Sequence, residues 1–545
     1  MLSDWKTPIR GKEPVKHKVV ILTAGKGSRL NERTKYFNKA LLRVGNKAVI
    51  SHTIDLFHKE TEFVIALGYK GDIVRQYLEI AHPNNKFTFI EVDKYSEPGA
   101  GPGYALLKCE KELQEPFYFF SCDSLLLDIW HEYKDVTNNW VGYDRIKEDE
   151  LREKFCTIET KERKVVKYFD KRTDGTNQAF VGVSFIKDCD LFWEKLRQQK
   201  QTVDQEIQVA PVFCSMPNLC AIRYEWFDTG SEGGLQRARN EIPGIQNLDK
   251  LDEELYVVDG HVVKYFHNPN IVTNRIERAK HLQGLVPDIE GCSKNFYKYR
   301  FEEGQDLFKI SDHYNHLSDL LNFTQKNLWV DVSLDDCENR VFRDVCRKFY
   351  YDKTASRLSK LYKEKGLSDK VVTINGMLVP KLSRIFECMS SWDYISNGTP
   401  SNFHGDYNFS NIVLTDDERF KFLDWRQDFG GVIQYGDRYY DFAKMYHSFL
   451  FPHPIVKEGK FYTKKDGDTI KTFIEIPIEI ERSKDVFEKF IVDNNYDLDK
   501  IKILTAIVLL NMSPLHESPL DEYLYYFGKY FFYLSLKGRN ENIFF

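Results

Sequence analysis

The chain of 545 residues lacks the features that mark several common classes of protein. Its ten cysteines are scattered singly, without a Cys-x-x-Cys pair, so neither a zinc site nor a disulfide framework is predicted. It has no basic tract, and a formal net charge of −5 argues against a nucleic-acid partner. Its longest apolar run, near residues 503–510, is too short to cross a bilayer. The first residues lack an apolar signal segment, so we expect a cytoplasmic protein without membrane insertion.

The length is the first positive indication of how the chain is organised. A chain of 545 residues exceeds the size at which single hydrophobic cores split, so two or three domains are expected. Residues 241–247, Glu-Ile-Pro-Gly-Ile-Gln-Asn, form a short segment rich in turn-forming residues. We therefore predict one domain over residues 1–244 and a second over residues 245–545.

The first predicted strand is an apolar segment, and a glycine-rich loop follows it directly. Glycines let backbone N–H groups approach phosphate oxygens closely, and a following helix N-terminus adds a favourable field. Arg29 could hold the β- and γ-phosphates of a nucleotide with two hydrogen bonds, and Lys39 could lie near the α-phosphate as a point charge. The predicted nucleotide-binding residues of this segment are Leu22, Ala24, Gly25, Gly27 and Ser28.

Two other phosphate-binding motifs fit this loop less well. A dinucleotide-binding fingerprint requires a third glycine where this chain has Leu30, and it needs no arginine or lysine. A Walker A loop requires the order GxxxxGK[ST], which residues 25–28 do not have. The order GxGxR…K resembles the nucleotidyltransferases that make nucleotide sugars and CDP-alcohols. That family usually has proline before the lysine, where this chain has Asn38.

Two aspartates further along the chain extend this resemblance. A buried strand over residues 116–121 would deliver Asp123 at its C-terminal end, where ligands bind in an open α/β sheet. Asp228 lies at a later turn, and either aspartate alone is more often a turn or cap residue. In the family order, Asp123 and Asp228 are expected to share one Mg²⁺ with the nucleotide, and Gly103 to contact the base. The implied fold is α/β, with a Rossmann-like, doubly wound, mostly parallel sheet.

A second set of chemical residues lies in the C-terminal half. Asp406 is followed by Asn411 five residues later and by Asp424 thirteen residues beyond that. Phosphoryl transfer needs a carboxylate that orients and deprotonates an acceptor hydroxyl, and oxygen ligands for Mg²⁺. We predict Asp406 as this catalytic base and Asn411 and Asp424 as metal ligands; the alternative is a tight turn with an aspartate cap. The pattern His-Gly-Asp-x-x-x-x-Asn…Asp-Trp resembles the aminoglycoside phosphotransferase and choline kinase family.

This second resemblance implies a bilobal, protein-kinase-like α+β domain. Residues 255–266 predict a β-hairpin around an Asp-Gly turn, with Lys264 on its second strand. The following helix carries Glu277. Lys264 is expected to contact the ATP phosphates and to pair with Glu277, whereas the alternative is a lysine on a solvated strand edge. Four aromatic residues could form a cage for a quaternary ammonium, although core packing is favoured: Trp425, Tyr439, Tyr440 and Tyr446.

The two halves together predict a bifunctional transferase. A kinase would phosphorylate a small alcohol with ATP, and a nucleotidyltransferase, with CTP favoured, would attach a nucleotidyl group to the new phosphate for surface-glycan decoration. Choline or ethanolamine is the expected acceptor, because the first half also resembles bacterial phosphocholine cytidylyltransferases. The alternative is a sugar kinase fused to a sugar-1-phosphate nucleotidyltransferase that makes an NDP-sugar. A nucleotide-sensing protein with one inactive site is disfavoured because both residue sets are complete, and the oligomeric state stays open.

Overall fold

The computed structural model describes residues 17–127, 137–147, 150–199, 205–245, 251–310, 313–388 and 392–537. The chain forms two compact units. The first comprises Met1–Pro269 and Glu290–Phe301, and the second comprises Asn270–Ile289 and Glu302–Phe545.

The first unit contains the strands and helices that carry the glycine-rich loop. Its strands are β1 (Lys18–Leu22), β2 (Arg43–Val44), β3 (Lys47–Ala48), β4 (Glu62–Leu67), β5 (Lys86–Glu91), β6 (Phe117–Ser121), β7 (Ser124–Leu126), β8 (Trp140–Arg145), β9 (Thr157–Lys161), β10 (Lys164–Phe169), β11 (Gln178–Ile186), β12 (Cys220–Arg223), β13 (Trp226–Asp228), β14 (Glu253–Val258), β15 (His261–Phe266), β16 (Ile289–Cys292) and β17 (Phe296–Arg300). Its helices are α1 (Val49–Asp55), α2 (Gly71–Ala81), α3 (Pro102–Lys108), α4 (Cys189–Gln198), α5 (Ala210–Cys214) and α6 (Glu232–Glu241).

Nine of these strands form one sheet in the order β5-β4-β1-β6-β11-β8-β12-β10-β9. The neighbours β5, β4, β1 and β6 are all parallel, with Val20 of β1 opposite Val64 and Phe119. Residues 19–21 are fully buried, as expected for a strand covered on both faces. The carboxyl ends of these strands meet at one edge, which places the glycine-rich loop and Asp123 together.

The other end of this sheet corrects the expectation of a mostly parallel sheet. Strand β11 is antiparallel to β6 and β8, and β10 is antiparallel to β12 and β9. The sheet is therefore mixed, since β8 and β12 are again parallel. The hairpin β9–β10 turns at Glu162 and Arg163, both with positive φ (49° and 63°). A turn of two charged residues carries none of the Asn-Gly or Asp-Gly signals by which hairpins are predicted.

The predicted hairpin around Asp259 and Gly260 is confirmed as β14–β15. Both turn residues have positive φ (47° and 75°), as a two-residue hairpin of this kind requires. With β17 and β16, the hairpin forms a four-stranded sheet in the order β14-β15-β17-β16. Tyr256 and Tyr265 donate hydroxyl hydrogen bonds of 2.7 Å to the carbonyl oxygens of Leu41 and Tyr36, respectively. The sheet predicted as a small kinase lobe thus packs within the first unit.

The second unit is mainly helical. Its helices are α7 (Pro269–His281), α8 (His313–Asn327), α9 (Asp336–Arg347), α10 (Lys353–Lys365), α11 (Leu382–Cys388), α12 (Trp392–Ser396), α13 (Arg438–Leu450), α14 (His453–Lys457), α15 (Ile478–Asp493), α16 (Leu498–Met512) and α17 (Leu520–Lys537). Its strands are β18 (Gly304–Asp306), β19 (Val372–Ile374), β20 (Met377–Val379), β21 (Pro400–Ser401), β22 (Ile412–Thr415), β23 (Phe420–Phe422), β24 (Gly436–Asp437), β25 (Phe461–Asp466) and β26 (Thr469–Ile474). The antiparallel pair β22–β23 separates Asn411 from Asp424.

Within the described ranges, no helix is both long and apolar enough to span a membrane. The nine cysteines whose side chains are described are all free thiols.

Candidate active sites

The glycine-rich loop lines a large cleft in the first unit. The cleft has a volume of about 1330 Å³. Gly27 has a φ of 67°, and a Cβ atom there would lie 3.2 Å from the side chain of Lys39, so the loop passes close to this lysine. All five nucleotide-binding residues predicted in this segment line the cleft: Leu22, Ala24, Gly25, Gly27 and Ser28. The cations Lys26, Arg29, Lys39, Lys94, Lys154, Lys171 and Arg237 also line it, against the acids Glu150, Glu206, Asp228 and Glu232. This excess of positive charge suits the phosphates of a nucleotide.

Asn38, the departure from the family pattern, has a structural role of its own. Its side-chain amide donates to the carbonyl oxygens of Thr23 and Tyr69, at 2.8 and 2.6 Å. Its side-chain oxygen accepts from the backbone N–H of Ala40 at 2.9 Å and so caps the short 3₁₀ turn Lys39–Leu41. The asparagine is fully buried. These bonds fix the backbone immediately before Lys39 by hydrogen bonding, where proline would fix it through its ring.

Lys39 and Arg29 each contact one of the two predicted metal-binding aspartates. The Nζ atom of Lys39 lies 2.6 Å from Oδ2 of Asp123. The Nη1 atom of Arg29 lies 3.5 Å from Oδ2 of Asp228. Arg29 is more exposed than Lys39, with 58% of its side chain accessible against 16%. The two cations and two carboxylates therefore form one alternating charge cluster at the cleft.

The two carboxylates face the same small space. A Cβ atom on Gly230 would lie 2.5 Å from Oδ2 of Asp123 and 3.0 Å from Oδ1 of Asp228, so only glycine leaves this space open. Burial opposes the charge of Asp123, but Lys39 holds its pKa well below the usual range. Burial and the charge of Asp123 instead raise the pKa of Asp228. Two buried carboxylates with opposite pKa shifts are typical of a functional site.

This pair fits a magnesium ion. Mg²⁺ is usually held by one or two carboxylates, with substrate phosphates and water supplying the remaining oxygens. Among the described residues there is no group of three or more histidine, cysteine, aspartate or glutamate side chains that could hold a metal. Asp123 and Asp228 supply two carboxylates toward one open space, which matches the two-ligand type.

The predicted base-contacting glycine lies beside the cleft rather than at its surface. The N–H of Gly103 donates to the carbonyl oxygen of Ile207 at 2.7 Å. A Cβ atom there would lie 2.6 Å from the Ile207 side chain, so the close approach that requires glycine is made to this residue. Of the described residues in this loop, Gly101 and Pro102 line the cleft and Gly103 does not.

In the second unit, Asp406 is held by two neighbours. The Nζ atom of Lys444 lies 2.8 Å from its Oδ1 atom. The amide of Asn411 donates to its Oδ2 atom at 3.0 Å and to its carbonyl oxygen at 2.9 Å. Burial opposes the charge of Asp406, but Lys444 holds its pKa well below the usual range. Asp406 is thus ionised and oriented, as an acceptor-binding carboxylate must be.

Asp441, which the sequence did not single out, shapes the loop that carries Asp406. Its carboxylate accepts from the backbone N–H groups of His404 and Gly405, both at 2.6 Å, and from the indole N–H of Trp329 at 3.2 Å. Burial raises the pKa of Asp441 to about 6. Asp441 and Lys444 both lie on α13, one turn apart. That helix therefore supports the loop that carries Asp406.

The remaining predicted kinase residues are placed differently. Asp424 has a positive φ of 60°, and its Oδ1 atom lies 2.6 Å from Nη1 of Arg275 on α7. Glu277 lies 2.6 Å from Nζ of Lys280, a surface pair on the same helix. Lys264 is buried on β15 in the first unit, which is inconsistent with a solvated strand edge. Its pairing with Glu277 and its contact with ATP stay predictions.

The aromatic residues considered for a cage lie in the core. Trp425 is fully buried and donates its indole N–H to the carbonyl oxygen of Arg275 at 2.9 Å. Tyr446 is buried and donates to Glu488 at 2.6 Å. Tyr440 is also buried, and Tyr439 packs against the same core. Core packing, the favoured interpretation, is confirmed.

Comparison with known proteins bears on the first unit. Residues 19–132 match the family model of the MobA-like NTP transferase domain. The chain is 35% identical over 74 residues to the probable glucose-1-phosphate cytidylyltransferase of Bacillus subtilis, covering 13% of this chain and 29% of that protein. It is 36% identical over 62 residues to the glucose-1-phosphate cytidylyltransferase of Salmonella typhimurium, covering 11% of this chain and 24% of that protein.

The chain thus spans less than a third of the length of these relatives. A solved structure of UDP-glucose pyrophosphorylase with UDP-glucose aligns at 19% identity and a TM-score of 0.36, over 41% of this chain and 97% of that one. The match of residues 19–132 to an NTP transferase domain supports the nucleotidyltransferase type of α/β fold predicted for the N-terminal part.

Proposed function

We propose that the first unit transfers a nucleotidyl group from an NTP, with CTP favoured, to a phosphate on a small molecule. The observation that carries this proposal is the cleft in which Lys39, Arg29 and the carboxylates of Asp123 and Asp228 meet. The match of residues 19–132 to an NTP transferase domain supports it. CTP is favoured because two relatives are named as cytidylyltransferases.

The charges of the cleft suit this reaction. The acceptor phosphate attacks the α-phosphorus, and pyrophosphate leaves in line. Negative charge gathers on the α-phosphate oxygens and on the departing pyrophosphate, so fixed cations there stabilise the transition state more than the ground state. Lys39 is assigned to the α-phosphate, and Arg29 to the pyrophosphate, which its planar fork can hold with two bonds. Bound Mg²⁺ would add positive charge beside the phosphate oxygens, held by Asp123 and Asp228.

The names of the relatives favour a sugar 1-phosphate as the nucleotidyl acceptor. This corresponds to the alternative drawn from the sequence. The resemblance to phosphocholine cytidylyltransferases keeps a phosphorylated amino alcohol as the competing acceptor. The two differ in charge, because a sugar phosphate carries no cation.

For the second unit we propose a small-molecule kinase that uses ATP. The supporting observation is that Asp406 is ionised and oriented by Lys444 and Asn411. The charge of Asp424 also acts on Asp406, so the second proposed metal ligand lies near the proposed base. Asp406 would accept the proton of the acceptor hydroxyl. The product of this step would be a phosphate monoester of the kind that the first unit consumes.

A coupled screen tests both activities. The full-length protein is supplied with ATP, Mg²⁺ and a panel of alcohols and sugars, then with CTP or UTP, and products are identified by mass spectrometry. Asp406→Asn should abolish the phosphorylated intermediate, and Lys39→Ala should let it accumulate without a nucleotide-linked product. If the phosphorylated intermediate accumulates in neither variant and the nucleotide-linked product still forms, the assignment of one step to each unit is refuted.

A further inference from the structure

A group of cations lies beside Asp406 in the second unit. The Nζ atom of Lys353 lies 4.1 Å from the ring centroid of Phe349, and the guanidinium carbon of Arg426 lies 5.1 Å from the same centroid. A Cβ atom on Gly405, the residue before Asp406, would lie 2.5 Å from the Cβ atom of Arg426. We call Lys353, Arg357, Arg426 and Lys444 the cationic cluster.

Three members of the cationic cluster are not neutralised by the protein. In the part of the chain that the structure describes, no carboxylate oxygen lies within 4.0 Å of Lys353, Arg357 or Arg426. Arg357 donates to the carbonyl oxygen of Asn511 at 2.9 Å, and Arg426 to that of Asp428 at 3.0 Å. These are neutral acceptors. Lys444 is the fourth member and is paired with Asp406.

The cluster members repel one another in a partly desolvated place. Burial first, and then the charges of Arg426, Arg357 and Lys444, together lower the pKa of Lys353 to about 6, whereas Asp428 acts in the opposite direction. Burial also lowers the pKa of Arg357. Like charges held together without partners cost free energy in the unliganded protein, and a bound anion would recover it.

The backbone supports the same position. One π-helical turn, Lys348–Asp352, joins α9 to α10 and leads directly into Lys353. Such turns are rare, and they occur often at functional sites. Lys353 and Arg357 are four residues apart on α10, so they share one helix face. The turn and the helix therefore place Phe349, Lys353 and Arg357 on one side, where the Lys353 ammonium contacts the Phe349 ring.

We propose that the acceptor of the second unit is a hydroxyl compound that carries an anionic group, a carboxylate or a phosphate, bound by Lys353, Arg357 and Arg426. This proposal rests on the proposed kinase function. The acceptor hydroxyl lies against Asp406 and gives it its proton. The acceptor oxygen bonds to the γ-phosphorus of ATP while the bond from that phosphorus to the bridging oxygen breaks, and ADP leaves with the electron pair.

The cluster argues against the cationic acceptors expected from the sequence. A choline or ethanolamine headgroup beside Arg357 and Arg426 would meet like charge at short range, which is unfavourable even in water. A bound anion would instead favour the protonated form of Lys353 as well. Of the four aromatic residues considered for a cage, Trp425, Tyr440 and Tyr446 are buried in the core. A hydroxy acid or a phosphorylated polyol instead pairs with all three side chains.

The test uses the full-length protein and matched acceptors that differ in charge. The panel contains glycerol, glycerate and glycerol 3-phosphate; glucose, gluconate and glucose 6-phosphate; and choline and ethanolamine. ADP release is measured with each, after subtraction of the rate without acceptor. The variants are Lys353→Gln and Arg357→Gln, with Lys360→Gln as the matched control. Lys360 lies on the same helix, 59% exposed, and pairs only loosely with Glu364 at 3.8 Å.

We expect an anionic member of a set to be phosphorylated at least about tenfold more efficiently than its neutral partner. Each cluster variant should raise the KM for that anion by about tenfold to a hundredfold with a smaller change in kcat, the loss expected for one charged hydrogen bond. Lys360→Gln should leave both constants unchanged. Comparison of the carboxylate acceptors with the phosphate acceptors identifies which anion the cationic cluster binds.

Two results separate the possible failures. Asp406-dependent turnover of choline, ethanolamine or a neutral sugar in preference to every anion would overturn this inference and leave the kinase function standing. Absence of Asp406-dependent ADP release with every acceptor would overturn the kinase function itself. Equal losses in the cluster variants and in Lys360→Gln would also overturn the inference, since helix damage would then explain them.

Discussion

Replacing Lys39 by alanine removes the most buried cation of the proposed nucleotidyl-transfer site. Its ammonium lies 2.6 Å from Asp123, and 16% of the lysine side chain and 12% of the aspartate side chain are exposed. Burial opposes the charge of Lys39, but Asp123 holds its pKa above the usual range, so the lysine stays protonated at neutral pH. The substitution therefore deletes a full positive charge that is fixed before the nucleotide arrives.

The expected loss follows from this preorganisation. Removing one preorganised donor at a site of developing negative charge costs about 2.7–4 kcal/mol, on the order of a hundredfold to a thousandfold in rate. The loss should fall mainly on kcat, because the charge on the α-phosphate oxygens grows in the transition state. Without Lys39, the carboxylate of Asp123 also loses its nearest screening charge, so the pKa of Asp123 should rise.

Pyrophosphate release from CTP with glucose 1-phosphate measures the effect. Lys35→Ala is the matched control, because Lys35 makes an exposed pair with Glu32 at 3.0 Å, and such pairs contribute at most about 1 kcal/mol. Circular dichroism and unchanged kinase turnover in the same sample would show that the variant is folded. A Lys39→Ala protein that works within about threefold of the parent would remove this lysine from the mechanism.

Four further outcomes are expected. Asp406→Asn should lower ADP release by at least about a hundredfold while leaving nucleotidyl transfer to a ready-made sugar phosphate intact; loss of both activities would refute the independence of the two reactions. Asn38→Ala should destabilise the first unit by about 1–3 kcal/mol in chemical denaturation, because it leaves two buried carbonyl oxygens and one N–H without partners. A fragment of residues 1–301 should stay monomeric and folded in gel filtration, whereas residues 1–245 should aggregate, since the latter exposes the surface bonded by Tyr256 and Tyr265. The pKa of Asp441 is raised from 3.8 to about 6, so its stabilising contribution is present below about pH 4 and is lost as the pH rises through 6. Asp441→Asn should therefore reduce the difference between the Tm measured at about pH 4.5 and the Tm measured at about pH 6.5. The same difference in the variant and in the parent would contradict this.

The sequence was sufficient wherever a local pattern decides the outcome. The apolar run before the glycine-rich loop predicts a buried strand, and β1 is buried on both faces. The Asp259-Gly260 pair predicts a two-residue hairpin, and β14–β15 has it. The spacing from Asp406 to Asn411 predicts a shared site, and their side chains are hydrogen-bonded. In each case, the pattern that allowed the prediction lies within a few neighbouring residues of the chain.

The residues that were missed depend on contacts between distant segments. Asp441 and Lys444 bond to the loop that carries Asp406 from a helix more than thirty residues later. Nothing in their sequence neighbourhood distinguishes them from helix surface residues. The sequence showed Asn38 only as a departure from a family pattern. Its structural role was missed because its hydrogen-bond partners, Thr23 and Tyr69, are distant in the chain. The antiparallel half of the first sheet was missed because the turn of its β9–β10 hairpin consists of charged residues.

The assignment of the hairpin to a kinase lobe shows a further limit of the sequence. The predicted boundary after residue 244 is based on turn-forming residues in the sequence. The compact units of the fold depend instead on buried contacts between residues. Arg43 pairs with Glu254 at 2.7 Å with both side chains nearly buried. A composition-based boundary carries no information on such pairs. Whether the functional domains divide at residue 244 stays a prediction, which the fragment comparison tests.

The proposal that the cleft of the first unit transfers a nucleotidyl group to a phosphorylated small molecule can be tested directly by one measurement. The protein is incubated with Mg²⁺, each of the four NTPs labelled at the α-phosphate, and a panel of sugar phosphates and phosphocholine, and the label is followed by chromatography. We expect the label to move from CTP to a phosphorylated acceptor, with release of pyrophosphate, and Asp123→Asn to abolish the transfer. No transfer from any of these NTPs to any of these acceptors, or transfer that Asp123→Asn leaves unchanged, would contradict it.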